Sequence, residues 1–98
     1  MAEVIWTEPA LNALDEIADH IALEDYEAAC RLVSRVFEKV ELLEDSPKLG
    51  NTPKDLRDTP YRRLVINPVY VYYRSEGDGI VIIFVDRTER SFDISRFA

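Results

Sequence analysis

Tyr61-Arg62-Arg63-Leu64-Val65-Ile66, Val69-Tyr70-Val71-Tyr72-Tyr73-Arg74 and Ile80-Val81-Ile82-Ile83-Phe84-Val85-Asp86-Arg87 are three largely apolar runs separated only by turn residues, and their spacing decides the fold. Asn67-Pro68 breaks the first junction, and Glu76-Gly77-Asp78-Gly79 supplies residues that tolerate positive φ in a tight hairpin. The stretch from Tyr61 to Arg90 therefore predicts a three-stranded antiparallel meander. Its hairpin can close on Gly77-Asp78 or on Asp78-Gly79, and either closure pairs even positions of one strand with odd positions of the next. Alternation with period two then gathers Val69, Val71, Tyr73, Ile80, Ile82 and Phe84 on one face, which wants helices against it. The other face collects Tyr70, Tyr72, Arg74, Val81, Ile83, Val85 and Arg87. Tyrosine, arginine and aliphatics together suit a docking surface better than a solvated one, so this second face is the functional candidate.

Upstream, Val4 and Trp6 alternate with Ile5, enough for a short strand that joins the later sheet, at an edge or beside the last strand. Thr7 reads as an N-cap, with Glu8 and Pro9 in the first turn, and Leu11, Leu14, Ile17, Ala18 and Ile21 follow at helical spacing. Glu24-Asp25 interrupts the pattern and Asp25 can cap again. A second stripe of Ala29, Leu32, Val33, Val36, Phe37, Val40 and Leu43 runs to about Asp45. Helices joined so briefly fold back as a hairpin. Ser46 to Pro53 is the longest irregular segment, and Lys54 to Asp58 fits either a short helical turn or an extended lead into the meander. Beyond Arg90, Phe92, Ile94 and Phe97 suggest a tail that packs back or is covered by a partner. The whole is an α+β two-layer domain, 1–98: strand 1–6, helical hairpin 8–45, meander 61–90 and tail 91–98.

A chain of 98 residues makes one domain that buries roughly two thirds of its unfolded surface. At 47% hydrophobic and 32% charged it has the composition of a soluble globular protein, without an apolar run long enough for a membrane helix or a leader pattern at its start, so the cytoplasm is the expected location. Cys30 has no partner for an internal disulfide, and His20 is the only histidine, so no metal site is expected. The net charge of −7 argues against strong direct nucleic-acid binding. It is unevenly spread: residues 1 to 45 carry 12 acidic and 3 basic side chains, and the remainder 7 acidic and 9 basic.

Catalytic patterns are nearly absent: there is no Gly-rich phosphate loop, no Cys and His pair and no Gly-x-Ser-x-Gly, and no cofactor is expected. His20 reads as a surface histidine and Cys30 as a small buried residue. The arginines Arg62, Arg63, Arg74, Arg87 and Arg90 stand out, interleaved with Tyr61, Tyr70, Tyr72 and Tyr73. A guanidinium is a fixed fork of donors for phosphate or carboxylate and stacks on aromatic rings; the plainer reading is edge charges paired with Glu76, Asp86 and Glu89.

Several motifs in order resemble the RelE/ParE superfamily of type II toxin-antitoxin toxins, in its plasmid-stabilisation, ParE-like branch. They are Ile5-Trp6-Thr7-Glu8-Pro9-Ala10 with Leu14, Ser46-Pro47-Lys48-Leu49-Gly50, Tyr61-Arg62-Arg63-Leu64-Val65, Tyr73-Arg74 with Glu76-Gly77-Asp78, and Val85-Asp86-Arg87-Thr88-Glu89-Arg90. The resemblance spans nearly the whole chain and implies the same fold. It implies one of two activities: inhibition of DNA gyrase, as in ParE-like members, or ribosome-dependent cleavage of messenger RNA, as in RelE-like members. A third reading is an inactive relative that serves as an interaction module.

Departures from the RelE pattern favour the gyrase reading. Tyr70 stands at the strand position of the nucleases' catalytic arginine, the tail position of their tyrosine falls near Ile94, and Arg87 replaces a common histidine and makes a poor proton shuttle. No catalytic residue is assigned; a nuclease would have to use Arg63, Arg87 and Arg90. The expected target-binding residues are Arg62, Tyr70, Tyr72, Arg74, Arg87 and Arg90. The expected partner is a cognate antitoxin laid over the helical hairpin and sheet edge, contacting Leu14, Ile17, Val36, Phe37 and Phe92.

Overall fold

The computed structural model describes residues 2–90 of the chain. Strand β1 spans Glu3–Trp6, helices α1 and α2 span Glu8–Ala22 and Tyr26–Glu41, and the meander consists of β2 (Tyr61–Ile66), β3 (Val69–Glu76) and β4 (Gly79–Arg87). This is the expected α+β order. The sheet runs β1-β4-β3-β2, with β1 parallel to β4 and the other neighbours antiparallel. A parallel pair needs a long crossover, and the helical hairpin is that crossover. The first strand was expected at an edge or beside the last one, and it is both.

Both helices begin on the caps their sequence offers. Thr7 Oγ1 accepts from the Ala10 N–H at 3.3 Å, and Asp25 Oδ1 from the Ala28 N–H at 3.0 Å, filling first-turn donors that have no intrahelical partner. Thr7 also ties the helix to the sheet: its hydroxyl donates to the Ile82 carbonyl at 2.7 Å and its N–H to the same oxygen at 3.2 Å. After Glu41 the chain tightens into a single 3-10 turn, Leu42–Glu44, which buries Leu43. A second 3-10 turn, Lys54–Leu56, settles the open choice for that segment in favour of a helical turn and buries Leu56.

Ala10, Leu14 and Ile17 of α1 and Leu32, Val36 and Val40 of α2 close on Val69, Val71, Tyr73, Ile80, Ile82 and Val85 of the sheet. Cys30 corrects an expectation, being exposed rather than buried. One residue past Ala29 on a helix is a turn of about 100°, enough to leave the buried stripe. Among the described residues no helix is long and apolar enough to cross a membrane.

The hairpin closes on Gly77-Asp78, with Glu76 opposite Gly79 and Gly77 at φ 59. Glycine at the first central position is the requirement of a type II′ turn. From there the register runs as expected up to Tyr73 opposite Ile82, then slips, so that Tyr72 pairs with Phe84 and Ile83 is left as an extra residue. This β-bulge reverses the parity of the rest of β4. Val85, expected on the outer face, pairs with Val71 and joins the core; Phe84, expected under the helices, pairs with Tyr72. Arg87 pairs with buried Val69, on the helix side. The expectation that Arg87 shares a face with Tyr70, Tyr72 and Arg74 is therefore wrong, and those three remain together.

Candidate functional site

The β2–β3 register sets Tyr61 beside Arg74, Arg63 beside Tyr72 and Val65 beside Tyr70, all on the sheet face away from the helices. The Arg63 guanidinium carbon lies 4.0 Å from the centre of the Tyr70 ring, a cation–π contact. Tyr70 and Tyr72 meet edge to face with centroids 6.2 Å apart. Each ring holds the next, so Arg63 is braced, and its Nε–H finds no acceptor among the described residues. Arg74 is partly exposed and sits 3.0 Å from Glu76, a surface pair that contributes little to stability.

Tyr72 is only 3% exposed. Burial pushes its hydroxyl above the ordinary tyrosine pKa, an effect partly offset by hydrogen bonding and charge from Arg63 and reinforced by Asp86 and Tyr70. At neutral pH the phenol therefore keeps its proton and acts as a hydrogen-bonding group. It is poorly poised as a general base, whose pKa must lie near the working pH.

The other predicted residues scatter. Arg62 lies on the helix side opposite Tyr73, and its guanidinium is turned to the loop before β2, donating to the Gly50 carbonyl at 3.3 Å and the Lys48 carbonyl at 3.5 Å. Arg87, at the end of β4, pairs with Glu89 at 3.4 Å, and Arg90 with the buried Asp86 at 3.8 Å. Arg87, Arg90 and Asp86 line a depression of about 220 Å³ together with Glu16 and His20 of α1. Among the described residues no group of three or more metal-ligating side chains is positioned to hold a metal ion.

Of the residues expected to meet an antitoxin, Leu14, Ile17 and Val36 are buried in the core against the sheet. Phe37 is partly exposed beside Trp6, with ring centroids 4.8 Å apart. Phe92, with the rest of the tail, lies outside the described residues. A separate groove on the outer side of the hairpin is lined by Ala18, Ala22, Tyr26, Ala29, Cys30 and Val33.

Sequence reading missed two features. Asp86 is a buried carboxylate, and its only signal was a charge inside an apolar run. The other is the tie made by Tyr73, whose hydroxyl accepts from the Gly50 N–H at 2.8 Å and donates to the Pro47 carbonyl at 3.0 Å. That tie anchors the Ser46-Pro47-Lys48-Leu49-Gly50 loop, and no local pattern announces it.

The structure is thus an α+β two-layer domain with arginine and tyrosine side by side on the sheet face away from the helices. Residues 4–92 match the family described as the ParE toxin of the type II toxin-antitoxin system parDE, and the chain belongs to that family. It is 35% identical over 83 residues to toxin RelE2 of Caulobacter vibrioides, covering 85% of this chain and 90% of that one. It is 36% identical over 73 residues to Y4kP of Sinorhizobium fredii, named as a candidate toxin, covering 74% and 75% of the two chains. Among solved structures, a chain of the chromosomal ParDE toxin-antitoxin system of P. aeruginosa superposes with a TM-score of 0.75 at 27% identity, covering 89% of this chain and 96% of that one. The protein is a type II toxin of the ParE/RelE family, and the family implies an antitoxin partner.

Proposed function

We propose that this toxin acts in the cytoplasm by inhibiting DNA gyrase and that an antitoxin from the same operon neutralises it. The observation that carries this reading is the division of the arginines. Arg63 is braced against Tyr70 on the outer face, whereas Arg87 belongs to the helix side. Cleavage of RNA needs cationic ligands and a base converging on one phosphate within hydrogen-bonding reach; Arg87 and Arg90 share a depression with His20, but Arg63 is not among the residues that line it. Tyr72, whose phenol hydrogen-bonds with Arg63, is held protonated by burial. A net charge of −7 also suits a protein target better than a phosphate surface. Tyr70 and Arg74 on the outer face, with Arg87 and Arg90 at the end of β4, form the target contact; Arg62 and Tyr72 support it from within.

The antitoxin covers the helical hairpin through Phe37 and the groove lined by Ala18, Ala22, Tyr26, Ala29 and Val33. Because residues 1 to 45 carry 12 acidic and 3 basic side chains, the antitoxin segment that meets them is rich in Lys and Arg. An acidic or neutral segment there would contradict this.

The likeness to RelE2 favours a second reading, a ribosome-dependent endoribonuclease using Arg63, Arg87 and Arg90. Induced expression in bacteria separates the two. Growth arrest with loss of plasmid supercoiling supports gyrase inhibition, arrest with in-frame message cleavage supports the nuclease, and unimpaired growth overturns both.

A further inference from the structure

Arg63 stands apart from the other arginines of the sheet. Arg74 lies 3.0 Å from Glu76, Arg87 lies 3.4 Å from Glu89, Arg90 lies 3.8 Å from Asp86, and Arg62 is turned to loop carbonyls. Among the described residues no carboxylate lies within ion-pair distance of Arg63. In a chain with 19 acidic side chains to 12 basic ones, a strand arginine left unneutralised is not a consequence of composition.

Its surroundings make that charge costly to leave unmatched. Arg63 is half-buried, and its Nε–H is buried with no acceptor among the described residues. The register sets it opposite Tyr72, whose phenol hydrogen-bonds with it, and diagonally across from Tyr70, whose ring centre lies 4.0 Å from the guanidinium carbon. Tyr72 in turn meets the Tyr70 ring edge to face. This stack fixes the plane of the guanidinium, so side-chain freedom that an arginine ordinarily loses on binding is lost already on folding. The Tyr70 ring also keeps water from one face of the cation, which strengthens an ion pair formed at its edge.

A planar fork held in one orientation suits one planar anion, and a carboxylate matches it with two parallel N–H···O bonds. A nucleic-acid backbone would call for several cations along its path, and Arg74, the neighbour on this face, already holds Glu76. We propose that Arg63 anchors a single Asp or Glu side chain of the protein target, which pairs in plane with the guanidinium while Tyr70 supports it from below. The inference rests on the outer face being the contact with gyrase, and it names the chemical group which that contact recognises.

Two measurements test it. In the first, the 15N-labelled full chain is titrated at constant ionic strength with N-acetylglutamate N-methylamide and with dimethyl phosphate, following the Arg63 side-chain Nε–H signal. The carboxylate is expected to shift that signal saturably, about tenfold more tightly than the phosphate diester, and to leave the Arg57 Nε–H unmoved. Absence of a saturable shift, or an equal shift at Arg57, would overturn the proposal. So would an equal or stronger response to dimethyl phosphate, which gives the site to a nucleic-acid backbone. In the second, Arg63→Gln and Arg63→Lys, each checked for folding by circular dichroism, are compared with the unaltered chain in a gyrase supercoiling assay. Both are expected to inhibit about tenfold more weakly, lysine keeping the charge but not the fork, while Arg57→Gln inhibits fully. Full inhibition by either Arg63 variant would overturn the anchor. An unaltered chain that leaves gyrase untouched refutes the gyrase reading alone, and the titration then decides the carboxylate site.

Discussion

Replacing Tyr73 with Phe removes one oxygen and leaves the ring in place, which isolates the tie between the sheet and the loop before β2. Tyr73 is fully buried and its ring packs in the core, so no large cavity opens. What is lost is a pair of bonds, at 2.8 Å from the Gly50 N–H and 3.0 Å to the Pro47 carbonyl. Gly50 is buried, so its N–H is left without a partner, at a cost of about 1–3 kcal/mol; Pro47 is partly exposed, and its carbonyl can turn to water. The expected loss is about 2 kcal/mol, or roughly 8–16 °C in Tm for a domain of this size. Urea unfolding followed by circular dichroism measures it, with a lower midpoint and an unchanged slope. Gly50→Ala attacks the same tie from the other side, because its Cβ would lie 2.7 Å from the Tyr73 hydroxyl and 2.8 Å from the Arg63 carbonyl oxygen. A Tyr73→Phe midpoint matching the unaltered chain would refute the tie.

Other outcomes follow from single contacts. Thr7→Ala removes the cap of α1 and the bond to the Ile82 carbonyl, and should cost about 1–2 kcal/mol in the same unfolding experiment. Tyr72 titrates above the ordinary tyrosine value of 10.0 when folded, so above that pH the unfolded chain releases this proton first. Its contribution is intact below pH 10.0 and declines as pH rises towards the raised folded value, so Tyr72→Phe should flatten the alkaline fall in stability; an unchanged fall would place the cause elsewhere. Paired Tyr70→Ala and Arg74→Ala changes should lower toxicity while the chain stays folded by circular dichroism. Replacing Arg87 and Arg90 by Ala should abolish toxicity, and full toxicity in that variant would move the target contact off the end of β4.

The alternating runs, the Gly77 turn and the caps at Thr7 and Asp25 were legible because each depends on neighbours in sequence. The bulge was not. Ile83 and Phe84 are both apolar, so nothing in the pattern marks the position where the period breaks, and one extra residue carried Arg87 to the other side. Nor was the burial of Leu14, Ile17 and Val36 legible, because an amphipathic stripe looks the same whether it faces a partner or the chain's own sheet, and these three pack in the core against the sheet. The turn of Arg62 onto the loop was not legible either, because an exposed edge arginine and one folded onto a loop carbonyl share the same local sequence. The Tyr73 contact joins residues 23 and 26 apart, beyond the range of any periodicity.

Purified toxin added to gyrase and relaxed plasmid, with and without its antitoxin, tests the central claim most directly. Loss of supercoiling that the antitoxin restores is the expected result. Unimpeded supercoiling by gyrase, together with cleavage of messenger on translating ribosomes by the same preparation, would contradict it.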